Sequence, residues 1–359
     1  MNSHGRPRGA LYNVIVDRTP FKLAAAAAAA LLMLLLGPAR AAAQSGTGIT
    51  LPVSSSPVVR VQMRAGTLII RTWNQPQVQI SGDAVQANHF DSGAVDRALA
   101  GGDIPIFSTT ILTAQGPLIL PAEDFPLTGI GTGHDGVIVR AMDSPSTVTV
   151  TIPAGTALLW AAMGRGDLEV HDYRGGAFVT RVHAGRITLQ NVAGDGYVEA
   201  ARGPIAIANS ALERVRARTA AGNILFENCT ARQIEVSSIL GSIAYDNGTF
   251  APGLARFESQ HGDVAIGVAG GSLQIGAHAA GGHIFEQLSN ARVSGSGSDA
   301  QAMLGSGGPV VTASSGTGNV YLYSGAFKRR GMPQAWRPVG RIFRRPPMLQ
   351  QKFPHHRHI

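Results

Sequence analysis

What the chain lacks is the first guide to it. There is one cysteine, Cys229, in 359 residues, so no internal disulfide can form and no thiol metal site can be built. Its neighbours suit a small, half-buried turn residue. Charged residues are only 14% and aromatic residues 6%, a poor match for a helical enzyme rich in Glu, Lys and Leu. Lysine is absent from residues 44–324. Beyond the N-terminal region no apolar run reaches the length of about 18 residues that reads as a membrane span. Disorder is excluded for the body, because 44% of the chain is hydrophobic and its apolar residues are regularly placed.

Glycine is plentiful, 45 of 359, and charge is unevenly placed. Residues 1–43 hold five Arg/Lys and one Asp, a balance of +4. Residues 325–359 hold nine Arg/Lys and no acid. The body between them has sixteen Arg and 21 acids, a balance of −5. The basic character therefore belongs to the two ends.

Arg6, Arg8, Arg18 and Lys22 precede an apolar run from Leu23 to Leu36, closed by Gly37-Pro38 and Ala41-Ala42-Ala43. This order predicts a secretory signal peptide over 1–43. The run spans about 21 Å at helical rise, short of a ~30 Å bilayer core, so an uncleaved anchor is the lesser reading. The expected location is periplasmic, cell-surface or secreted. At the other end, five prolines and single-sign charge predict a disordered basic tail over 325–359. Lys328, Arg329, Arg330, Arg337, Arg341, Arg344, Arg345, Lys352 and Arg357, interleaved with Phe327, Trp336, Phe343 and Phe353, form a candidate arm. Its chemistry suits an anionic envelope polymer or lipid, with nothing specific to nucleic acid.

The body repeats. A glycine and an alternating strand recur as GDLEVHD at 166, GRITLQN at 185, GPIAIAN at 203, GNILFEN at 222, GSIAYDN at 241 and GDVAIGV at 262. The pattern goes on through GHIFEQL at 282, AQAMLGS at 300 and GNVYLYS at 318. Two and four residues past each marker stand apolar side chains, with Glu286 the one exception. Alternation with period two means strands with one buried face. A further strand precedes each glycine, with a charged outer column reading Arg181, Glu199, Arg218, Ser237, Glu258, His278. A unit of about 19 residues cannot bury two strands alone, but stacked units share a core. The fold class is therefore all-β: a β-solenoid, parallel β-helix-like, covering 57–324. Val59, Val61, Met63, Gly66, Leu68 and Ile70 supply an early coil, and residues 84–135 break the period as an insertion over the N-terminal end or side. Asp172, Asn191, Asn209, Asn228 and Asn247 share one turn position, where left-handed backbone and stacked amides are expected.

Chemistry is harder to find. Gly131, Gly133 and Gly136 fit G-x-G-x-x-G, but a strand follows where a helix N-terminus would have to hold pyrophosphate. No cofactor is implied. Asp263 and His283 hold the same position in adjacent coils and should stack, with His261 two residues from Asp263, a weak metal candidate whose plainer reading is polar turn residues in solvent. Ladders without a converging catalytic set favour a non-enzymatic scaffold or binding module. The alternative is a polysaccharide lyase or hydrolase on a parallel β-helix.

The V-x-V-x-x-x-G-T-L-I-I run at 59–70, T-V-T-V-T-I-P-A-G at 147–155 and the G-x-Φ-x-Φ blocks resemble the adhesin-type family of exported bacterial β-solenoid proteins, a domain of unknown function. The resemblance implies the fold and an adhesin-like surface role. It supplies no catalytic residues.

Overall fold

The structure is a computed structural model, and it describes residues 48–82, 89–100, 110–113, 116–119, 128–141 and 145–325. The expected signal segment 1–43 and the tail cations from Lys328 to Arg357 lie outside the described residues. Among the described residues no helix is long and apolar enough to cross a membrane.

Each coil is built from two strands joined at a glycine corner. β2 (Val58–Trp73), β9 (Leu158–His171) and β10 (Ala177–Gln190) run through that corner unbroken. Later coils divide into β11 (Ala193–Arg202) and β12 (Ile205–Ala208), β13 (Ala211–Ala221) and β14 (Ile224–Glu227), β15 (Thr230–Leu240) and β16 (Ile243–Phe250), then β17 (Leu254–His261) and β18 (Val264–Val268). Equivalent strands pair in parallel, so residue pairs such as Ile187↔Ile205, Ile205↔Ile224 and Ile224↔Ile243 stack. Two long sheets result. The inward positions expected from the repeat are buried, apart from Ile284 and Glu286, and they form one continuous core.

The corner explains the glycine. A Cβ on Gly203 would come 1.8 Å from the Gly185 carbonyl oxygen, and one on Gly185 would come 1.8 Å from that of Gly166. Coils about 4.8 Å apart leave no room there for a side chain. The opposite corner takes the Asp/Asn column. Asp172, Asn191, Asn209, Asn228 and Asn247 all have φ between 51° and 60°. Nδ2 of Asn191 donates to Oδ1 of Asp172 at 2.6 Å, and Nδ2 of Asn247 to Oδ1 of Asn228 at 2.7 Å. Asn accepts left-handed backbone at little cost, so one residue type supplies both the turn and the ladder. The next residue points inward: Cys229 is fully rather than half buried, and burial pushes its thiol up to about 11.

At both ends the stacking order departs from chain order. β2 lies between β9 on one side and β7 (Gly136–Ala141) with β8 (Ser146–Pro153) on the other. The first coil of the sequence is thus the second in space. At the far end, β23 (Val310–Ser315) pairs with both β17 and β19 (Leu273–Ala279), while β24 (Val320–Ser324) pairs with both β18 and β20 (Ile284–Gln287). The last coil is inserted between its two predecessors. The glycine corner records this order, since Gly318 abuts Gly262 and Gly282 abuts Gly318.

The block AQAMLGS at 300 is not a further parallel coil. It forms β22 (Asp299–Leu304), antiparallel to both β19 and β21 (Ala291–Ser296). Gly297, at φ 73°, and Gly305, at φ 61°, reverse the chain on either side of it. Ala302 and Leu304 are buried as the pattern predicts, but in a hairpin. Antiparallel strands also close the N-terminal end, where β1 (Ile49–Pro52) pairs with β3 (Gln77–Gly82) and β3 with β8. Such strands cover edges that would otherwise recruit other chains.

Within the expected insertion, α1 (Ser92–Ala100) is capped by Asp91, whose Oδ1 accepts from the Ala94 amide at 3.0 Å. Val95 and Phe90 pack on Ile138, on the outer side of the first sheet. Arg60 reaches the Ala98 carbonyl at 3.1 Å. Among the described residues β4 (Thr110–Thr113) and β5 (Gly116–Ile119) pair only with each other. β6 (Thr128–Thr132) belongs to the main sheet, antiparallel to β7. Gly131, Gly133 and Gly136 lie in this hairpin, where a Cβ on Gly131 would meet Phe90 at 2.6 Å.

Candidate functional site: a polar groove on the first sheet

The outward positions of the first sheet carry most of the charge pairs among the described residues. Parallel register brings Arg181 beside Glu199 and Arg216 beside Glu235. Arg181 Nε lies 3.2 Å from Glu199 Oε2, and its guanidinium carbon is 4.8 Å from the Tyr197 ring centroid. Tyr197 in turn donates to Glu199 at 3.1 Å. Glu235 accepts from Arg216 Nε at 2.9 Å and from Arg218 at 2.9 Å. Arg256 pairs with Glu258 on its own strand at 2.9 Å.

A groove of about 340 Å³ opens where this ladder is interrupted. Ser237, on β15, stands between Arg218 on β13 and Glu258 on β17. One short side chain between two long ones leaves a trough, walled by Glu235, Arg256 and Gln260 and edged by Ile239. Ile239 is 46% exposed, an apolar contact beside paired charges. Burial alone would raise the Glu235 carboxyl, but the hydrogen bonds from Arg216 and Arg218 outweigh it and hold it below the usual range. Glu235 is therefore an ionised acceptor, the opposite of the raised carboxyl that a general acid needs.

The metal candidates are not brought together as the repeat suggested. Direct stacking of Asp263 on His283 was expected, but the inserted coil places Asn319 between them. Asp263 Oδ1 accepts from the Asn319 amide at 2.9 Å, and Asn319 Oδ1 accepts from the His283 amide at 3.0 Å. His261 turns to Thr317, with Nδ1 3.4 Å from its hydroxyl. Among the described residues no group of three metal-ligating side chains converges. The same insertion corrects the charged column, where Ser314 stands between Glu258 and His278. His278 pairs instead with Asp299 at 2.8 Å. Nothing in the repeat announces the groove except the serine that breaks the Arg/Glu run.

The coil geometry agrees with comparison to known families. Residues 128–322, more than half of the chain, match Toastrack DUF4097. The chain belongs to this family. Toastrack is a domain of unknown function with a β-solenoid-like fold and no assigned catalytic activity. The match begins after β2, so the Toastrack stack incorporates a coil from outside the matched residues. No curated protein and no solved structure matches this chain.

Proposed function

We propose that this Toastrack protein is an exported, non-enzymatic envelope or surface scaffold, adhesin-like, whose first sheet is a binding face. The observation that carries the reading is the groove at Ser237, fixed on three hydrogen-bonded strands and lined by paired charges of both signs. Such a lining offers donors and acceptors without a strong net field, which suits a polar, hydroxyl-rich polymer such as an envelope polysaccharide. The hydrogen bonds from Arg216 and Arg218 suit Glu235 itself to accepting rather than to acid catalysis. The basic tail supplies a second attachment, to anionic polymer or lipid, by releasing counterions.

The test is binding of the full chain to immobilised neutral and acidic envelope polysaccharides. Ser237→Trp fills the groove and is expected to abolish binding to the neutral polymer without moving the melting temperature. Unchanged binding by that variant rejects the groove. Release of shortened or unsaturated sugars during the incubation establishes the polysaccharide-active enzyme instead. Attachment through the tail is expected to disappear at high salt while groove binding persists.

A further inference from the structure

The second sheet has an outer face unlike that of the first. Its outward residues from β12 onward include Ala206 and Ala208, then Leu225, Ala244 and Ala265, followed by Tyr321 and Phe285 at the far end. Phe285 and Tyr321 stack with ring centroids 5.1 Å apart. Ala206 is 0%, Ala244 5%, Ala265 3% and Leu225 7% exposed, although all four point away from the core. Outward residues of the first sheet from β10 to β17, even the short Ser237, stay half-buried or exposed, and burial there is confined to the N-terminal strands around Trp160 and Ile138. No described strand or helix packs across the second sheet's outer face. The ionisable side chains there are Glu227, Asp246, Asp263 and, at the rim, His283; from β12 to β20 it presents no Arg or Lys. Tyr323 donates to Asp246 at 3.1 Å, so part of this acid edge is already held by the last strand.

We infer that the chain's own basic tail, residues 326–359, docks along this face. Three observations select that occupant. β24 ends on this sheet, and the Gly325 amide bonds the Val268 carbonyl at 2.6 Å, so the tail departs from the rim of the face it would cover. Thirty-four residues follow Gly325 and reach about 110 Å when extended. The face from β24 back to β12 is four strand spacings, about 19 Å. The charges are complementary, with nine cations and no acid in 325–359 against three carboxylates and no Arg or Lys on the face from β12 to β20, Arg71 and Arg186 lying further back on β2 and β10. Phe327, Trp336, Phe343 and Phe353 provide apolar contacts for Leu225, Tyr321 and the alanines. In this arrangement the acidic sheet is the tail's resting partner, and an anionic polymer competes for the same cations. The inference adds an internal site to the tail's external one, and its test needs no polymer.

The chain offers a direct readout, because Lys22, Lys328 and Lys352 are its only lysines. A carbodiimide joins an amine to a carboxylate only where the two are in contact. The full chain, coupled at low protein concentration and digested, is expected to give intramolecular links from Lys328 and Lys352 to Glu227, Asp246 or Asp263. The yield is expected to fall severalfold at high salt. Leu225→Arg, which places a cation on the face, is expected to lower it likewise, while Ser237→Arg on the first sheet leaves it unchanged. Links from the tail to Glu199, Glu235 or Glu258, or none from Lys328 and Lys352, overturn the inference. Links between two chains assign the face to a second copy, and links from Lys22 assign it to the N-terminal segment; either result rejects the tail.

Discussion

From β10 to β16 the order of coils in space is the order in the chain, while at both ends it is not. The two kinds of region share their chemistry: a glycine corner, alternating strands, an apolar interior. They differ in what decides the neighbour. Backbone ladder bonds accept any strand of matching length and register, so a repeat dictates which residues face inward but not which coil stacks on which. Short turns settle the order in the middle, since Asn209-Ser210 or Asn228-Cys229 delivers the chain directly to the next level. At the ends, the long excursions after β3 and through β21 and β22 free one coil to be placed elsewhere. The intercalated coil then ties distant parts of the sequence together, and antiparallel strands cover the edge that remains.

Truncation tests this difference most severely. Ending the chain at Gly308 would trim one terminal coil if order followed sequence. In this structure it removes an interior one, with Val311, Ala313, Val320 and Leu322, each at most 1% exposed. It also strips the bonding partners of β17, β18, β19 and β20 together. The expected outcome is loss of protection over 254–304 in limited proteolysis and a large fall in melting temperature. A truncated chain that melts like the intact one would show that β19 and β20 can dock on β17 and β18 unaided, and would erase the distinction between middle and end.

Next in size is a buried charge. Ile224→Asp places a carboxylate at a site 0% exposed in the middle of the stack, expected to cost several kcal/mol. Ile284→Asp, on the half-buried outermost coil, is expected to cost far less, and Thr188→Asp on an outer face to be nearly neutral. Equal losses at Ile224 and Thr188 in thermal melts would be incompatible with a two-faced coil.

A smaller effect separates stacking from backbone strain. Gly203 and Gly270 have similar torsions, φ 135° and 142°, but a Cβ at Gly203 meets a carbonyl oxygen at 1.8 Å and one at Gly270 meets nothing within 4 Å. Both replacements by Ala pay the conformational penalty. Only Gly203→Ala must also push two coils apart. The gap between the two melting temperatures therefore measures the corner contact itself, and similar values for both would reduce the corner to a torsional requirement.

The middle was legible because period two and the glycine spacing are local signals. Ile205, Ile224 and Phe226 are inward for the reason the pattern gives, and the asparagine corner follows from residue chemistry alone. The ends were not legible. Ala302 and Leu304 alternate correctly, yet alternation is identical in a parallel coil and an antiparallel hairpin. Only the turns at Gly297 and Gly305 distinguish them. The pairing of Asp263 with Asn319 instead of His283 is equally invisible to a reading that takes coils in order. The groove depends on the size of one residue, Ser237, relative to neighbours nineteen and twenty-one positions away. Along that column chain order and spatial order coincide through Glu258, and only beyond it does Ser314 stand where repeat order puts His278.

The last contrast is in pH response. His183 lies on the first sheet in the regular middle, its Nε2 buried without a hydrogen-bond partner among the described residues. Burial lowers its affinity for protons, and the nearby Arg202 and Arg165 lower it further. The unfolded chain takes up a proton around the ordinary histidine value near 6.5, while the folded chain resists until lower pH. Between those values the unfolded state binds more protons, so stability falls as the pH drops below about 6.5. At the C-terminal end Asp299 acts in the same direction but lower on the pH scale: the hydrogen bonds from His278 and Ser298 hold its carboxyl below the usual range. Its contribution is present above the unfolded carboxylate value and is lost only as pH falls through the lowered one. The middle is thus expected to soften first, as the pH falls below about 6.5, and the end only in stronger acid. Melting temperatures of wild type and His183→Gln across pH 5 to 7.5 read this directly. The variant is expected to show a shallower decline on acidification, a modest effect because the side chain is only half-buried. Identical slopes would mean that the guanidinium groups and water accommodate the imidazolium, and that the ladder's middle is as permissive toward charge as its ends.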